Sequence, residues 1–309
     1  MDIVAIGEPM IEFNQRPGTS LYLQGFGGDT SNFSCAAARV GARVGVLTRI
    51  GADEFGDQLL ALWRRENVDA SAVERDPDAP TGLYFVSHGP DGHRFAYRRA
   101  GSAASRMKPS PAFDERVAAA RWLHVSGVSQ AISDSACDTV FAALACARAH
   151  RVPVSYDLNF RPRLWPAARA RAIAEATLAD VDLFLPSLDE AEALFGLVDA
   201  DALIDHAHRL GARRVAVKRG AAGARISDGR QRIDVPGFAV DSVDATGAGD
   251  CFAGVLVARL VAGDDLAAAA RAACAAAALS TTGYGAVDPL PTWPAVRARL
   301  DGDARSRSS

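Results

Sequence analysis

Short apolar runs rich in β-branched residues alternate along the chain with longer segments whose apolar positions follow a helical spacing. The apolar runs lie at 2–7, 43–51, 121–127, 152–159, 181–187 and 213–220. Strands that are apolar throughout are typical of a parallel sheet buried on both faces, with helices as the crossover connections. The pattern therefore predicts one α/β domain with a doubly wound, mostly parallel sheet flanked by helices.

One segment departs from this alternation. Two stretches of strand character, TGLYFVSH and HRFAYRR, flank Gly-Pro-Asp-Gly, which is typical of a hairpin turn. A hairpin inserted between α/β units predicts a small β-sheet lid, with strands from about 8–24 and 81–100. We expect the α/β domain to span 1–300 and the polar segment 301–309 to be a disordered tail.

Composition and charge narrow the class of protein. The 309 residues are 49% hydrophobic and 23% charged, with a formal net charge of -3. This balance fits a globular protein. It shows no excess of basic residues of the kind that a nucleic-acid partner would favour. The five cysteines form no CxxC pair or Cys/His cluster, so we expect no zinc site and no disulfide framework. Because no run resembles a membrane segment or a secretion signal, we expect no membrane partner and a cytoplasmic location.

A glycine-rich loop, DATGAGDCFAG at 244–254, precedes an apolar helical run. It is no Walker loop, because the only lysines, Lys108 and Lys218, are followed by proline and arginine. Its glycine spacing and position also differ from those of a dinucleotide-binding fingerprint. A third interpretation is an anion hole, since the N–H groups of residues 247–249 would converge at a helix start, where negative charge is favoured.

Asp250 follows this loop directly. Beside a transferring phosphoryl group, its carboxylate could accept the proton of an attacking hydroxyl. A simpler interpretation is that an aspartate in the first turn of a helix stabilises the helix dipole by about 0.3–1 kcal/mol. On these residues alone both interpretations stay open.

Several stretches together resemble one enzyme family. DSVDATGAGDCFAGVLVARL closely resembles the C-terminal signature of the ribokinase-like (PfkB) carbohydrate kinases. GEPMIEF, GGDTSNFSCAAARVGARVGVLTRIGADEFG, PSLDEAEALFG and VAVKRGAAGA occur in the order of that family, so the resemblance covers nearly the whole chain. GFGGDTSN, FAYRRAGSAAS and DLNFRPRLW are most similar to the members that phosphorylate 2-keto-3-deoxygluconate.

The resemblance implies a fold, a reaction and partners. It implies a ribokinase-like fold and transfer of the ATP γ-phosphoryl group, with Mg²⁺, to the terminal hydroxyl of this acid sugar, giving 2-keto-3-deoxy-6-phosphogluconate. It implies a homo-oligomer, because relatives often pair through the lid sheet, whose edge strands would otherwise be exposed. It leaves open a monovalent cation such as K⁺ near Asp241 and Val243.

The resemblance also implies roles for single residues. Asp250 is the implied catalytic base, and the amides of Gly247, Ala248 and Gly249 form the implied anion hole. The implied substrate-binding residues are Gly27, Gly28, Asp29, Asn32, Tyr84, Tyr97, Arg99, Arg161 and Asp250. Two arginines favour an acid substrate, because a guanidinium can donate bidentately to a carboxylate. The structural alternatives are helix capping by residues 29–31 and a solvated strand face around residues 97–99.

The resemblance also implies which residues bind the nucleotide. The implied nucleotide-binding residues are Ser187, Lys218, Gly220, Gly223, Gly247, Gly249, Thr282 and Gly283. Glu190 is implied to hold Mg²⁺ through water, and Asp244 either helps to hold the metal or orients the loop. Ser187 and Cys274 stand where asparagine is common in the family. The rival functions are another kinase of this family, for fructose, ribose or a different deoxy-keto acid, and a non-catalytic sugar-binding protein of the same fold.

Overall fold

A computed structural model describes residues 1–16, 18–89 and 92–308. The described strands are β1 (Ile3–Ile6), β2 (Met10–Gln15), β3 (Tyr22–Gly27), β4 (Val44–Leu47), β5 (Arg49–Gly51), β6 (Glu74–Asp76), β7 (Gly82–Gly89), β8 (Gly92–Arg98), β9 (Leu123–Ser126), β10 (Val154–Asp157), β11 (Leu183–Leu185), β12 (Arg214–Lys218), β13 (Ala224–Ser227) and β14 (Arg232–Val235). The described α-helices are α1 (Asp29–Arg39), α2 (Glu54–Arg65), α3 (Pro111–Ala118), α4 (Gly127–Ala131), α5 (Asp134–His150), α6 (Ala167–Leu178), α7 (Leu188–Phe195), α8 (Ala200–Leu210), α9 (Ala248–Ala262), α10 (Leu266–Ser280) and α11 (Trp293–Ser308).

Eight strands form the large sheet, in the order β14-β13-β12-β11-β10-β9-β1-β4. The pairs from β12 to β4 are parallel, and β13 and β14 extend one edge as antiparallel strands. From β1 the chain first adds β4 on one side and later adds β9, β10, β11 and β12 on the other. The predicted doubly wound, mostly parallel sheet is therefore confirmed.

The helices bury this sheet on both faces. In β1, Ile3 packs into the apolar core that contains residues of α1, α2, α9 and α10, whereas Val4 packs into the core that contains residues of α3, α5, α6 and α8. Neighbouring strand residues point to opposite faces of a sheet, and here both faces are covered. This double burial explains why the predicted strands are mainly apolar and do not alternate strictly between apolar and polar residues.

A smaller sheet contains four strands in the order β3-β2-β7-β8. β2 pairs with β7 in parallel, and the other two pairs are antiparallel. The tip of the predicted hairpin turn, residues 90 and 91, lies outside the described residues. Leu21 and Leu23, beside and within the edge strand, are 60% and 55% exposed. The roles of this small sheet as a lid and as an oligomer contact stay predictions.

The last helix reaches into the segment 301–309, and the disorder expected for this segment stays a prediction. α11 continues to Ser308, so the backbone is helical through most of the segment 301–309. An ion pair between Arg271 of α10 and Asp303 joins this helix to the domain. The polar composition of the segment did not indicate this long-range contact. A search of the described helices finds none with the length and apolar character needed to cross a bilayer.

Candidate active site

A cavity of about 1580 Å³ lies at the carboxyl edge of the large sheet and reaches the small sheet. The helices of an α/β sheet begin at this edge, and ligands of such folds bind there. Of the predicted site residues, the lining includes Gly28, Asp29, Asn32, Tyr84, Tyr97, Arg99, Arg161, Ser187, Glu190, Lys218, Gly220, Gly223, Gly247, Ala248, Gly249 and Asp250. Gly27, Asp244, Thr282 and Gly283 are not part of the described lining.

The glycine-rich loop leads into α9 without a side-chain cap. Gly247 is the N-cap residue, with a φ of 75°, and no side chain accepts a hydrogen bond from the first turn. A Cβ at this position would also lie 3.0 Å from the Cβ of Ala286. Uncapped amides at a helix start can bind an anion. One part of the predicted anion hole needs correction, because the Ala248 amide donates to the Ala245 carbonyl at 3.2 Å.

Asp244 organises this loop rather than lining the cavity. Its carboxylate accepts hydrogen bonds from the Thr246 amide at 2.9 Å, the Thr246 hydroxyl at 2.7 Å and the Gly285 amide at 3.0 Å. These bonds tie the loop before α9 to the loop after α10. Of the two roles considered for Asp244, the structure supports orientation of the loop. A metal role for Asp244 through water stays a prediction.

Asp250 lies in the first turn of α9 and faces α1 across the cavity. The Asn32 amide group donates a hydrogen bond of 2.8 Å to its Oδ2. Burial and the nearby Asp29 raise the pKa of Asp250 to about 8, although the Asn32 hydrogen bond and Lys218 oppose the increase. A carboxyl group with a pKa near neutrality can both accept and release a proton, as a general base must.

The start of α1 presents unpaired polar atoms. Oδ2 of Asp29 accepts hydrogen bonds from the Ser126 hydroxyl and, at 3.1 Å, from the Asn159 amide group. Within the described residues, Oδ1 of Asp29 and Oδ1 of Asn32 are buried and have no partner. Buried polar atoms normally have a partner, so these two acceptors fit the hydroxyl groups of a sugar.

The capping alternative for this helix is not observed. The N-cap residue of α1 is Gly28, and no side chain caps the helix. Ser126 and Asn159, which hold the Asp29 carboxylate, are functional candidates that the sequence analysis missed. Asn159 lies in DLNFRPRLW, where a polar residue directly after a buried strand was the available signal.

Gly28→Ala is expected to destabilise the protein by at least about 2 kcal/mol and to weaken sugar binding. Gly28 has a φ of 95°, and a Cβ there would lie 2.3 Å from the Glu8 carbonyl oxygen. Gly41→Ala is the matched control, because Gly41 has a φ of 98° with nothing within 4 Å of its Cβ position. Urea unfolding should show the larger loss for Gly28→Ala. Equal losses would contradict the close approach of α1 to Glu8.

Two tyrosines of the small sheet form one wall of the cavity. Tyr84 and Tyr97 are cross-strand partners with ring centroids 5.9 Å apart. The Tyr84 hydroxyl donates to the buried Glu12 carboxylate. Gly27 does not line the cavity, because the Tyr84 hydroxyl covers it at 2.3 Å from a Cβ position. Gly27 therefore leaves room for the Tyr84 hydroxyl, and its predicted contact with the sugar stays a prediction.

The two predicted arginines have different surroundings. Arg99 is only 9% exposed and forms an ion pair with the buried Glu8. Arg161 is half exposed, and its Nη1 lies 3.5 Å from Oε1 of Glu190. Arg163 also lines the cavity and was missed, since the four arginines of the RPR and RR motifs look alike in the sequence. Positive charge therefore gathers at the sugar side of the cavity, partly balanced by carboxylates.

Lys218 ends β12 beside the glycine-rich loop. Its Nζ lies 2.8 Å from both carboxylate oxygens of Asp157, the last residue of β10. Burial works to lower the pKa of Lys218, but Asp157 and Glu190 outweigh it and raise the pKa. Nζ is 3.6 Å from the position of a Cβ on Gly249, which places this ammonium at the anion hole. Asp157 is a second residue that the sequence analysis did not single out.

Ser187 and Glu190 form a capping box at the start of α7. The Ser187 hydroxyl accepts from the Glu190 amide at 3.3 Å, and the Glu190 carboxylate accepts from the Ser187 amide at 3.0 Å. Helix capping therefore explains both residues locally, although both line the cavity. The described residues contain no group of three acidic, histidine or cysteine side chains that could enclose a metal. A single carboxylate fits Mg²⁺ held mainly by phosphates and water.

The residues that line the nucleotide end of the cavity differ in part from the predicted ones. Thr281 lines the cavity, together with Cys274 of α10. The Thr281 carbonyl accepts from the amides of Val243 at 2.7 Å and Asp244 at 3.1 Å. The Thr282 hydroxyl instead donates to the Leu279 carbonyl at 2.8 Å. The lining residue is thus one position before the predicted pair of Thr282 and Gly283, and a monovalent cation near Val243 stays a prediction.

An uncapped helix start, an adjacent carboxylate and a buried lysine on a doubly wound sheet are typical of an enzyme that transfers phosphoryl groups. The model of the pfkB family of carbohydrate kinases matches residues 2–293, and the chain belongs to this family. The chain is 36% identical to the 2-dehydro-3-deoxygluconokinase of Thermoproteus tenax over 304 residues, which are 94% of this chain and 92% of that relative.

Solved structures show the same fold. The PfkB protein from Polaromonas sp. JS666 has 30% sequence identity and a TM-score of 0.87, with 96% of this chain and 99% of that chain covered. The fructokinase with bound ATP from Xylella fastidiosa has 26% identity and a TM-score of 0.86, with 98% and 99% covered. The protein is therefore a carbohydrate kinase with a ribokinase-like fold.

Proposed function

We propose that the protein transfers the γ-phosphoryl group of ATP to the terminal hydroxyl of 2-keto-3-deoxygluconate, the compound also called 2-dehydro-3-deoxygluconate. The observation that carries the proposal is Asp250, held by Asn32 between the polar start of α1 and the uncapped start of α9. The named function of the Thermoproteus tenax relative supports the same substrate. The ATP in the Xylella fastidiosa structure supports the phosphoryl donor.

On the sugar side, the chain supplies acceptors and a base. The unpaired Oδ1 atoms of Asp29 and Asn32 accept from sugar hydroxyls, and Ser126 and Asn159 keep the Asp29 carboxylate in place. The terminal hydroxyl oxygen bonds to the γ-phosphorus and passes its proton to Asp250. The bond from that phosphorus to the bridging oxygen breaks, and ADP leaves.

On the nucleotide side, the chain supplies positive charge and backbone donors. The amides of Gly247 and Gly249 and the Lys218 ammonium lie together, so they stabilise the negative charge of the transferring group. Glu190, which lines the cavity, would hold Mg²⁺ through water, and the ion would supply positive charge that neutralises the phosphates. Gly220, Gly223 and Thr281 line the part of the cavity assigned to the rest of the nucleotide. The small sheet closes the sugar side against water.

The carboxylate of the substrate is assigned to the part of the cavity that arginine side chains line. Arg99 and Arg161 are the predicted partners of the carboxylate, and both line the cavity. A second candidate substrate is a neutral sugar such as fructose, which the pairing of Arg99 with Glu8 favours because it already compensates one charge. The two candidates differ in the carboxylate and in the hydroxyl that the deoxy acid lacks, so a direct comparison of their turnover decides between them.

An ADP-release assay with Mg-ATP should show turnover of 2-keto-3-deoxygluconate with a kcat/KM at least about 10²-fold above that of fructose or ribose. Gluconate serves as the control that carries a carboxylate but lacks the keto and deoxy positions. A preference for fructose would overturn the acid substrate and leave the kinase. Absence of turnover with every sugar, together with binding of one of them, would support a non-catalytic binding protein.

A further inference from the structure

Arg99 is held from two sides within the wall of the cavity. Its Nη2 donates to Oε2 of Glu8, and its guanidinium carbon lies 5.4 Å from the centroid of the Tyr97 ring. Glu8 is fully buried at the end of the segment that follows β1. An ion pair and an aromatic contact together restrict a side chain that otherwise has many rotamers.

Glu8 is itself fixed. Its Oε1 accepts a hydrogen bond of 3.0 Å from the Ser102 hydroxyl. Its Oε1 also lies 3.0 Å from the Cβ position of Gly82, so β7 packs directly against the carboxylate. Burial raises the pKa of Glu8, while Arg99 and Ser102 oppose that increase by donating to the ionised form. Both hydrogen-bond partners described for this carboxylate, Arg99 and Ser102, therefore lie in the segment just after the small sheet.

The pairing leaves a donor of Arg99 unused. Arg99 is 9% exposed, and its Nε is buried and has no partner within the described residues. Arg99 lines the cavity, so a ligand acceptor can reach this side chain. A buried donor without a partner is unfavourable, and a ligand acceptor that reaches it removes this cost. A carboxylate fits best, because its two oxygens match the planar donor set of a guanidinium.

We propose that Glu8 is a positioning residue for substrate specificity: it holds one end of the Arg99 guanidinium so that the remaining donors meet the substrate carboxylate. This inference rests on the proposed function and adds a residue that contacts no substrate atom. Glu8 sets the direction of Arg99 and leaves part of its donor set for the acid. A neutral sugar leaves Nε unpaired, so the same arrangement selects against it.

The test is a double-mutant cycle on acid binding. Titration calorimetry measures the Kd of 2-keto-3-deoxygluconate without ATP for wild type, Glu8→Gln, Arg99→Ala and the double variant. Glu8→Gln should weaken acid binding by at least about tenfold, because a misdirected guanidinium loses a charge-assisted hydrogen bond. The double variant should bind no more weakly than Arg99→Ala, because Glu8 acts through Arg99. Glu8→Asp, which keeps the charge, should recover part of the affinity.

A matched pair elsewhere controls for loss of stability. Glu66 forms two hydrogen bonds with Arg39, of 2.7 and 3.0 Å, away from the cavity. Glu66→Gln should lower the unfolding midpoint without changing the Kd of the acid. The KM for ATP is a second control, since general damage would raise it together with the KM for the sugar.

The outcomes separate this inference from the proposed function. Unchanged acid affinity in Glu8→Gln, or a loss that adds in full to that of Arg99→Ala, would overturn the role of Glu8 even if wild type phosphorylates the acid. Tight binding of the acid without turnover would contradict the proposed function and leave the role of Glu8 intact. If wild type does not bind the acid, both fail.

Discussion

Asp250→Asn is expected to lower kcat by about 10²–10⁴-fold, while the KM for the sugar changes far less. Asparagine keeps the size of the side chain. It also keeps an oxygen that can accept the hydrogen bond of 2.8 Å that Asn32 donates to Oδ2 in wild type. It cannot take the proton from the sugar hydroxyl. Steady-state kinetics that vary the sugar and ATP separately measure both constants.

The same variant should be more stable than wild type at high pH. Burial and Asp29 raise the pKa of Asp250 to about 8 from an ordinary value of 3.8. Between these two values the folded protein binds more protons than the unfolded chain, so this group makes stability fall as the pH rises. Asparagine removes that loss. The Tm of Asp250→Asn should therefore exceed that of wild type at pH 8, and by much less at pH 4.

The pH dependence of catalysis follows from the same pKa. Since the base must be ionised, kcat/KM for the sugar should rise with pH through the pKa of about 8 and level off above it. Asp134→Asn is the control, because Asp134 also lies in the first turn of a helix but is exposed and paired with Arg169. It should change kcat little. A comparable loss of kcat in both variants would mean that Asp250 acts only on the helix dipole.

Much of the fold could be predicted from the sequence, because the strands of the large sheet are recognisable from the apolar and β-branched residues within them. β1 is apolar at every position, and β9 and β10 are buried at every position although each also contains polar residues. The loop before α9 was also predictable, because Gly247 has a φ of 75° that glycine adopts most readily. These features depend on residues close together in the chain.

The contacts that complete the site were less predictable because they join distant segments. Asp29 meets Asn159 across 130 positions, and Lys218 meets Asp157 across 61. Nothing near Asp157 in the sequence distinguishes it from an ordinary residue at the end of a strand. Pairing of opposite charges depends on strand order, here β10 separated from β12 by β11, which periodicity does not reveal.

Lys218→Met is expected to lower kcat by about 10²-fold or more and to destabilise the protein by about 3–5 kcal/mol. The loss of stability arises because Asp157 is buried and would lose the ammonium that lies 2.8 Å from both of its oxygens. The loss of activity arises because this ammonium lies beside Gly249 of the anion hole. Urea unfolding and the ADP-release assay measure the two effects on the same sample.

The two effects of Lys218→Met should depend differently on pH. Burial already raises the pKa of Asp157 to about 6 in wild type, where Lys218 works to lower it. Without Lys218 this pKa rises further, so the carboxyl group is neutral in the folded variant at pH 5 and costly to ionise at pH 8. By linkage, stability falls as the pH rises through this window. The stability deficit should therefore be larger at pH 8 than at pH 5, whereas the activity deficit should remain at both.

The double variant Asp157→Asn/Lys218→Met separates structure from catalysis. It removes both charges, so most of the lost stability should return, as it does when a buried ion pair is replaced by neutral residues of similar volume. Activity should stay low, because no ammonium faces the transferring phosphoryl group. If kcat returned to within about tenfold of wild type, Lys218 would serve only to neutralise Asp157, and the amides of Gly247 and Gly249 would stabilise the phosphoryl group without it.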